Sequence, residues 1–340
     1  LLEVEQLRTV LNERTSLYKL TGNSDPVKKL IGRVEKVAPT PFTVLIEGES
    51  GTGKELVARA IHNLSRVKGG PFVALDCGAI PESLVESELF GAMKGAFTGA
   101  DRDKPGHFEL AHNGTLFLDE AGNLSHPIQQ KLLRAIQERT IRPLGGKKTV
   151  SVTVRIIAAT NQSLAEDLKA GRFRSDLYFR LNEFSLKMPT LKERAEDIPY
   201  LAKKFLDEAE IDLNKKCNGF SREALLALGA YRWPGNVREL RNIIRQAALL
   251  CEENAAIQMH HLIFTAHPLF PDEGTPGFSP AIHDGGKSLK EIVNGRIAVV
   301  EKEIIGKILK EKNGNKSQTA TKLQVDYKTL LKKIKAYGLA

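Results

Sequence analysis

Four short apolar runs mark the first half of the chain: Phe42 to Glu47 (FTVLIE), Pro71 to Asp76 (PFVALD), Thr115 to Asp119 (TLFLD) and Val152 to Ala159 (VTVRIIAA). Each is nearly continuous rather than alternating, the pattern of strands buried on both faces. Tens of residues separate them, enough for crossover helices, so they predict a parallel sheet in an α/β unit. After Pro189 the strand pattern ends. Ile198–Leu206, Ser221–Leu228 and Asn236–Leu250 then read as helices of a small all-helical unit reaching about residue 265. Residues 266–287 hold Pro268, Pro271, Gly274, Pro276, Gly277, Pro280, Gly285 and Gly286, a density of breakers that predicts a flexible linker. At the other end, Leu7, Val10, Leu11, Leu17 and Tyr18 recur at helical spacing among charges, predicting a linker or dimer-forming helix over 1–20. The expected divisions are therefore 1–20, 21–195, 196–265, 266–287 and 288–340, with no internal repeat.

The last division has its own pattern. Leu289, Ile292, Val293, Ile297, Val300, Ile304 and Ile308 form a helical stripe that Asn313-Gly314-Asn315 breaks. Ser317 is the expected N-cap of a short helix ending near Leu323, Val325-Asp326 a tight turn, and Tyr327–Tyr337 a second helix. On it Tyr327, Leu330, Leu331, Ile334 and Tyr337 are expected to face inward, while Lys328, Lys332 and Lys335 share another face with Lys333 beside them. Short helix, tight turn and basic helix make a helix-turn-helix layout.

Charge sharpens that picture. The 340 residues carry a net +9, and residues 285–340 hold 13 basic and 5 acidic side chains against 37 and 36 in the rest. A basic module on a neutral body points to nucleic acid, and Lys316, Lys328, Lys332, Lys333 and Lys335 are its candidate DNA contacts. Lysines suit phosphates better than base edges; Lys328, near the helix start, is the best candidate for a base. Cys77, Cys217 and Cys251 are far apart and make no CxxC or Cys/His cluster, so a reducing, cytoplasmic setting without disulfides or zinc is expected. No apolar run reaches the roughly 18 residues of a membrane span. The sequence starts at Leu1 rather than Met, so a trimmed form with further chain upstream is expected.

Candidate chemistry lies at two strand ends. Gly48-Glu49-Ser50-Gly51-Thr52-Gly53-Lys54 follows the first apolar run and opens a helix Glu55–Asn63. This G-x-x-x-x-G-K string, in strand–loop–helix context, turns amide groups and a helix N-terminus toward phosphate, and Lys54 adds a positive charge. Glu55 stands where Ser or Thr usually contacts Mg²⁺. The third run delivers Asp119 and Glu120, a metal-holding carboxylate and one able to orient water. Arg172, Arg174, Arg180 and Arg238 are the available arginines, though spacing alone does not separate them from surface residues.

GESGTGKE (48–55), ELFGAMKGAFTGA (88–100), GTLFLDE (114–120), FRSDLYFRLN (173–182) and WPGNVREL (233–240) together resemble the bacterial enhancer-binding proteins. These are AAA+ activators of sigma-54 RNA polymerase. The resemblance implies a P-loop AAA+ sheet, a helical lid and a Fis-type domain, with ATP and Mg²⁺ as nucleotide and metal. It implies that Gly95, Ala96, Phe97, Thr98, Gly99 and Ala100 form a loop gripping sigma-54. Arg174 and Arg180 fall on fingers reaching a neighbour's nucleotide, Asn161 on sensor I beside Thr160, and Arg238 on sensor II. A hexamer or heptamer follows, together with a dimer on a two-fold site in double-stranded DNA; many relatives also carry an upstream receiver domain.

Three departures from the family pattern stand out. Asp76 replaces an Asn thought to restrain the Walker B Glu; Asp accepts but does not donate at neutral pH. Ala92-Met93 replaces a His and a polar residue, and Asn123 stands where many relatives are acidic. Two rival functions remain: a DNA-binding regulator using nucleotide only to oligomerise, and a replication or transposition ATPase, which has no use for GAFTGA.

Overall fold

A computed structural model describes residues 22–97, 101–264, 301, 305–306, 308–309, 312, 315–323 and 325–338. It divides into two compact units, Leu1–His267 and Pro268–Ala340. The helix expected over 1–20, the linker 266–287 and most of the stripe ending at Ile308 lie outside the described residues.

The first unit is built on β1 (Val44–Glu47), β2 (Phe72–Asp76), β3 (Thr115–Asp119), β4 (Arg155–Thr160) and β5 (Phe184–Lys187). They form one parallel sheet in the order β2-β3-β4-β1-β5. Helices cover both faces, which explains the continuous apolar runs. Leu45, Leu116, Leu118, Ile156 and Ala158 pack into one core with α3 (Glu82–Phe90), α4 (His126–Glu138) and α5 (Ser175–Leu181). Their neighbours Val44, Ile46, Phe117, Ile157 and Ala159 point the other way, against α1 (Asp25–Val37) and α2 (Lys54–Asn63). Each large side chain so buried stabilises the fold by roughly 1.5–3 kcal/mol relative to exposure.

Two strands differ from expectation. β2 is an edge strand paired only with β3, so Ala74 and Asp76 are exposed and Leu75 alone is buried. β5 has no counterpart among the four apolar runs: it pairs with β1 at the opposite edge, and its FSLK carries one buried residue, Leu186. Within β4, buried Arg155 donates to the carbonyls of Ala38 and, at 2.9 Å, Val37, closing the end of α1. Burial pushes its guanidinium pKa down to about 10.

Three helices form the lid: α6 (Ile198–Leu213), α7 (Arg222–Ala230) and α8 (Asn236–Leu250). Ser221 caps α7 by accepting from the Ala224 N–H at 3.1 Å. Trp233, 1% exposed, anchors the lid core and donates Nε1 to the Leu228 carbonyl at 2.9 Å.

In the second unit, α9 (Lys316–Leu323) and α10 (Tyr327–Ala336) pack with Ile305 around Ala320, Leu330 and Ile334. Asn315 rather than Ser317 stands at the start of α9, its Oδ1 accepting from the Gln318 N–H at 3.1 Å. Asp326 caps α10 by accepting from Lys328 and Thr329. Only Leu330 and Ile334 are fully buried on α10; Tyr327 and Leu331, expected inward, are exposed, because the core formed with Ile305 and Ala320 centres on the Leu330 and Ile334 side of the helix.

Candidate functional site

Strand β1 leads directly into the glycine-rich loop, and the Gly48 N–H donates to the Thr160 carbonyl at the end of β4. Gly51 has φ +77°, and a Cβ there would lie 2.3 Å from the carbonyl oxygen of Gly235 in the lid, so no side chain fits. Lys54 opens α2 and is 8% exposed; its Nζ donates to the carbonyls of Gly48 (2.8 Å) and Glu49 (3.2 Å). Burial lowers its pKa, the carboxylates of Asp119 and Glu120 oppose that shift, and the Arg238 guanidinium adds to it. Asp119, Glu120 and Arg238 thus lie within electrostatic reach of Lys54. The site lies outside the carboxyl ends of the strands, where open α/β sheets bind ligands.

Glu120, half-buried, has φ +52° and ψ +41°, a left-handed conformation rare outside glycine. Its N–H donates to Asp119 Oδ1 at 3.0 Å, and its Oε2 accepts from Asn123 Nδ2 at 2.9 Å. Burial raises the Asp119 pKa; the bond from Glu120 and the Lys54 charge counter that, while Asp76 and Glu55 add to it. Asp76 spends its side chain locally, Oδ1 accepting from Gly78 (2.9 Å) and Ala79 (3.1 Å) in a tight turn. Glu55 pairs with Arg59 at 2.7 Å, one turn along α2. The carboxylate of Asp119 is the donor type a hard divalent cation takes beside phosphate oxygens, so the residues present fit Mg²⁺. Among the described residues no cluster of three or more His, Cys, Asp or Glu forms an all-protein metal cage.

The lid is bonded to this loop. Arg238 Nη1 donates to Ser50 Oγ at 2.9 Å, and the N–H groups of Val237 and Arg238 donate to the Gly51 carbonyl. Buried Asn236 donates Nδ2 to Glu49 Oε2 (2.9 Å) and the Ser50 carbonyl (3.2 Å), while its Oδ1 accepts from the Leu191 N–H at 2.8 Å. Buried Arg194 reaches the Thr52 carbonyl at 3.2 Å, and Thr52 Oγ1 donates to the Glu49 carbonyl.

Known families match along the whole of this arrangement. The sigma-54 interaction domain family matches residues 20–187, the AAA+ ATPase lid domain 192–272, and the bacterial regulatory protein, Fis family, 296–337. The transcriptional regulatory protein ZraR of Klebsiella oxytoca is 46% identical over 318 residues, 93% of this chain and 68% of its own length. Among solved structures, NtrX from Brucella abortus superposes with a TM-score of 0.69 both in complex with ADP (32% identity; 96% of this chain, 72% of that one) and in complex with ATP (33%; 94% and 69%). This chain belongs to the sigma-54-dependent transcriptional activators.

For an activator of this family the remaining site residues fall into separate places. Of the expected sigma-54 loop, Gly95, Ala96 and Phe97 are described, and Thr98, Gly99 and Ala100 lie outside the described residues. Phe97 is 40% exposed rather than in the core. Below it, the Ala92 and Lys104 backbones exchange two hydrogen bonds, and the Met93 N–H donates to the Leu144 carbonyl. The loop base is therefore latched through backbone, which a small buried Ala92 permits. Asn161 is exposed beside buried Thr160 at the end of β4. Arg174 and Arg180 do not join the site of their own chain: they pair with Asp176 (2.7 Å) and Glu183 (2.7 Å).

In the activator's C-terminal unit Lys328, Lys332 and Lys335 are exposed and Lys316 half-buried. Lys333 differs from the others. It is ion-paired to Glu301, whose other oxygen accepts from Tyr337 Oη at 2.6 Å. Arg194 carries a site contact that no motif or periodicity marks, while Asn236, inside WPGNVREL, and Asn123, a departure from the family pattern, had no partner assigned by the sequence. A buried polar residue next to a motif gives no periodic signal, and only its partners reveal it.

Proposed function

We propose that this activator hydrolyses ATP in a ring of subunits and uses that cycle to remodel the closed complex of sigma-54 RNA polymerase, from an upstream double-stranded DNA site. The observation that carries the reading is the convergence of a phosphate-cradling loop, buried Lys54, Asp119 and Glu120 at the carboxyl ends of parallel strands of one sheet. NtrX, crystallised with ATP and ADP, supports the choice of nucleotide.

Residues 48–53 wrap the phosphates with amide groups, and Lys54 leaves its two carbonyl partners to bond phosphate oxygens. Asp119 would hold Mg²⁺, which neutralises phosphate charge when bound. Glu120 accepts a proton from, and orients, the attacking water. Arg238 and Asn161 sense the nucleotide from the lid and from the end of β4. Arg174 and Arg180, turned away from their own site, exchange Asp176 and Glu183 for a neighbour's phosphates, which requires a hexamer or heptamer. Residues 95–100 carry the change to sigma-54, with Phe97 exposed for contact. Lys316, Lys328, Lys332 and Lys335 bind DNA phosphates.

ATPase and promoter-opening assays with sigma-54 polymerase, run on the full chain and on a form ending at residue 287, test this. We expect ATPase in both and enhancer-dependent opening only with the tail. Absence of nucleotide turnover in the intact chain with polymerase present refutes the reading. Arginine supply from a neighbour is tested by mixing Arg180→Ala with Glu120→Gln: each alone is inactive, and the mixture regains part of the rate.

A further inference from the structure

Glu120 is gripped at both ends by one residue. The Asn123 N–H donates to the Glu120 carbonyl at 2.9 Å, and the Asn123 side chain donates Nδ2 to the Glu120 carboxylate, also at 2.9 Å. The same carboxylate sits over Gly78, where an added Cβ would come within 2.0 Å of Glu120 Oε2 and 2.9 Å of Asn123 Nδ2. Asp76 fixes that floor by capping Gly78 and Ala79, and a carboxylate there has no proton to donate to Glu120. The Glu120 carboxylate is thus seated on the 76–79 turn and latched there by an amide. Asn123 is exposed, and it lines a hollow of about 270 Å³ with Cys77, Gly78, Glu82, Ser125 and Ile128, into which its side chain has room to swing.

We propose that Asn123 is a positioning residue that holds Glu120 off its water, and that the pair Asp76 and Asn123 performs the restraint with the donor moved from the end of β2 to the segment after β3. The physical case rests on lone pairs and hydrogen-bond direction. A carboxylate oxygen that accepts an amide N–H is a weaker acceptor for a water proton, and a carboxylate tethered over Gly78 must rotate before it can serve. The side-chain amide of Asn123 can let go of this carboxylate without moving the backbone. An Asp at 76 supplies the turn cap and leaves the donor role to Asn123.

The inference rests on Glu120 being the water-orienting group, so the experiment carries that arm separately. Steady-state ATPase of the full chain is measured for the parent, Glu120→Gln, Asn123→Ala, Asn123→Asp and the double variant Asp76→Asn/Asn123→Asp, each checked for an unchanged unfolding midpoint. Glu120→Gln should be inactive with ATP binding retained; if it turns over normally, the underlying assignment of Glu120 fails. Given an inactive Glu120→Gln, Asn123→Ala and Asn123→Asp should raise basal kcat about tenfold, the low end of the scale for one lost hydrogen bond to a charged group, with KM for ATP within about twofold of the parent. In the double variant the amide introduced at position 76 can keep the turn cap through its oxygen and supplies the N–H donor that the Asp76 carboxylate lacks. Its kcat should return to within about twofold of the parent. Unchanged or lowered kcat in both single variants overturns the latch. So does a double variant that stays as fast as Asn123→Asp alone, because the effect would then not depend on a donor to Glu120.

Discussion

Asn236 in the lid donates its side-chain amide to Glu49 of the phosphate loop at 2.9 Å, across a separation of 187 residues. Its φ is +50°, its side chain is buried, and its oxygen simultaneously accepts from Leu191. One residue therefore ties loop, lid and the segment between them. Asn236→Ala removes these bonds, leaves the Leu191 N–H buried without a partner and keeps a left-handed backbone that Ala tolerates poorly. A loss of about 3 kcal/mol is expected in urea unfolding. Asn236→Gly should lose less, having no Cβ strain; equal losses would mean that backbone geometry is not a contributor.

Glu120→Gln should bind ATP as the parent does and lose turnover by about two orders of magnitude or more, the usual scale for a general base. Nucleotide binding by fluorescence and phosphate release measured on the same sample separate the two effects. Turnover at the parent rate would remove Glu120 from the reaction.

Thr98→Ala should leave ATPase nearly intact while abolishing sigma-54 engagement, since the described loop base is latched through the backbone of Ala92, Lys104, Met93 and Leu144. Binding to sigma-54 in the presence of a transition-state analogue reads this directly. Normal open-complex formation by this variant would reassign the loop.

The tail lysines should divide into two groups. Lys328→Ala and Lys332→Ala remove exposed cations, and each should lessen the log–log salt dependence of DNA binding by about 0.9 for every phosphate it no longer neutralises. Lys333→Ala instead breaks the pair with Glu301, so its main effect should fall on the thermal stability of the C-terminal unit. A slope change for Lys333→Ala as large as for Lys328→Ala would show that the ion pair opens on DNA.

His62 supplies a pH test of the core. It is 5% exposed, its Nδ1 lies 2.8 Å from Thr115 Oγ1, and burial lowers its pKa, with the charges of Arg155 and Arg59 adding to the shift. Because the unfolded chain binds a proton near pH 6.5 and the folded chain only at lower pH, stability is lost as pH falls through about 6.5 toward the folded value. The slope is at most about 1.4 kcal/mol per pH unit. His62→Gln should flatten the decline between about pH 7 and 5.5; an unchanged decline would assign it to other groups.

Much of the nucleotide site is legible in the sequence because its residues are consecutive. Residues 48–54 and 119–120 each pair an apolar strand with the loop or carboxylates that follow it, and backbone chemistry confines such strings to strand ends. Asn236, Arg194 and Asn123 are not legible in that way. Each is a polar side chain whose meaning lies in a partner it meets only after folding: Glu49, Thr52 and Glu120. Edge status is equally hidden. FVALD in β2 and TLFLD in β3 look alike, yet one lies at the sheet edge and the other inside it.

By itself the sequence determined the parallel α/β unit, the helical lid, the phosphate loop with its acidic partner strand, and the family to which the chain belongs. These are properties of local pattern: burial on two faces demands continuous apolar runs, and phosphate demands glycines before a helix. The tertiary structure decided which donor reaches which acceptor. It placed Asn123 on Glu120, turned Asp76 onto its own loop, set Asn236 between lid and phosphate loop, and withdrew Lys333 into a pair with Glu301. Hydrogen bonds act over about 3 Å: folding brings distant residues such as Asn236 and Glu49 to that distance, and the backbone turns it fixes decide which near neighbour Asp76 and Asn123 reach.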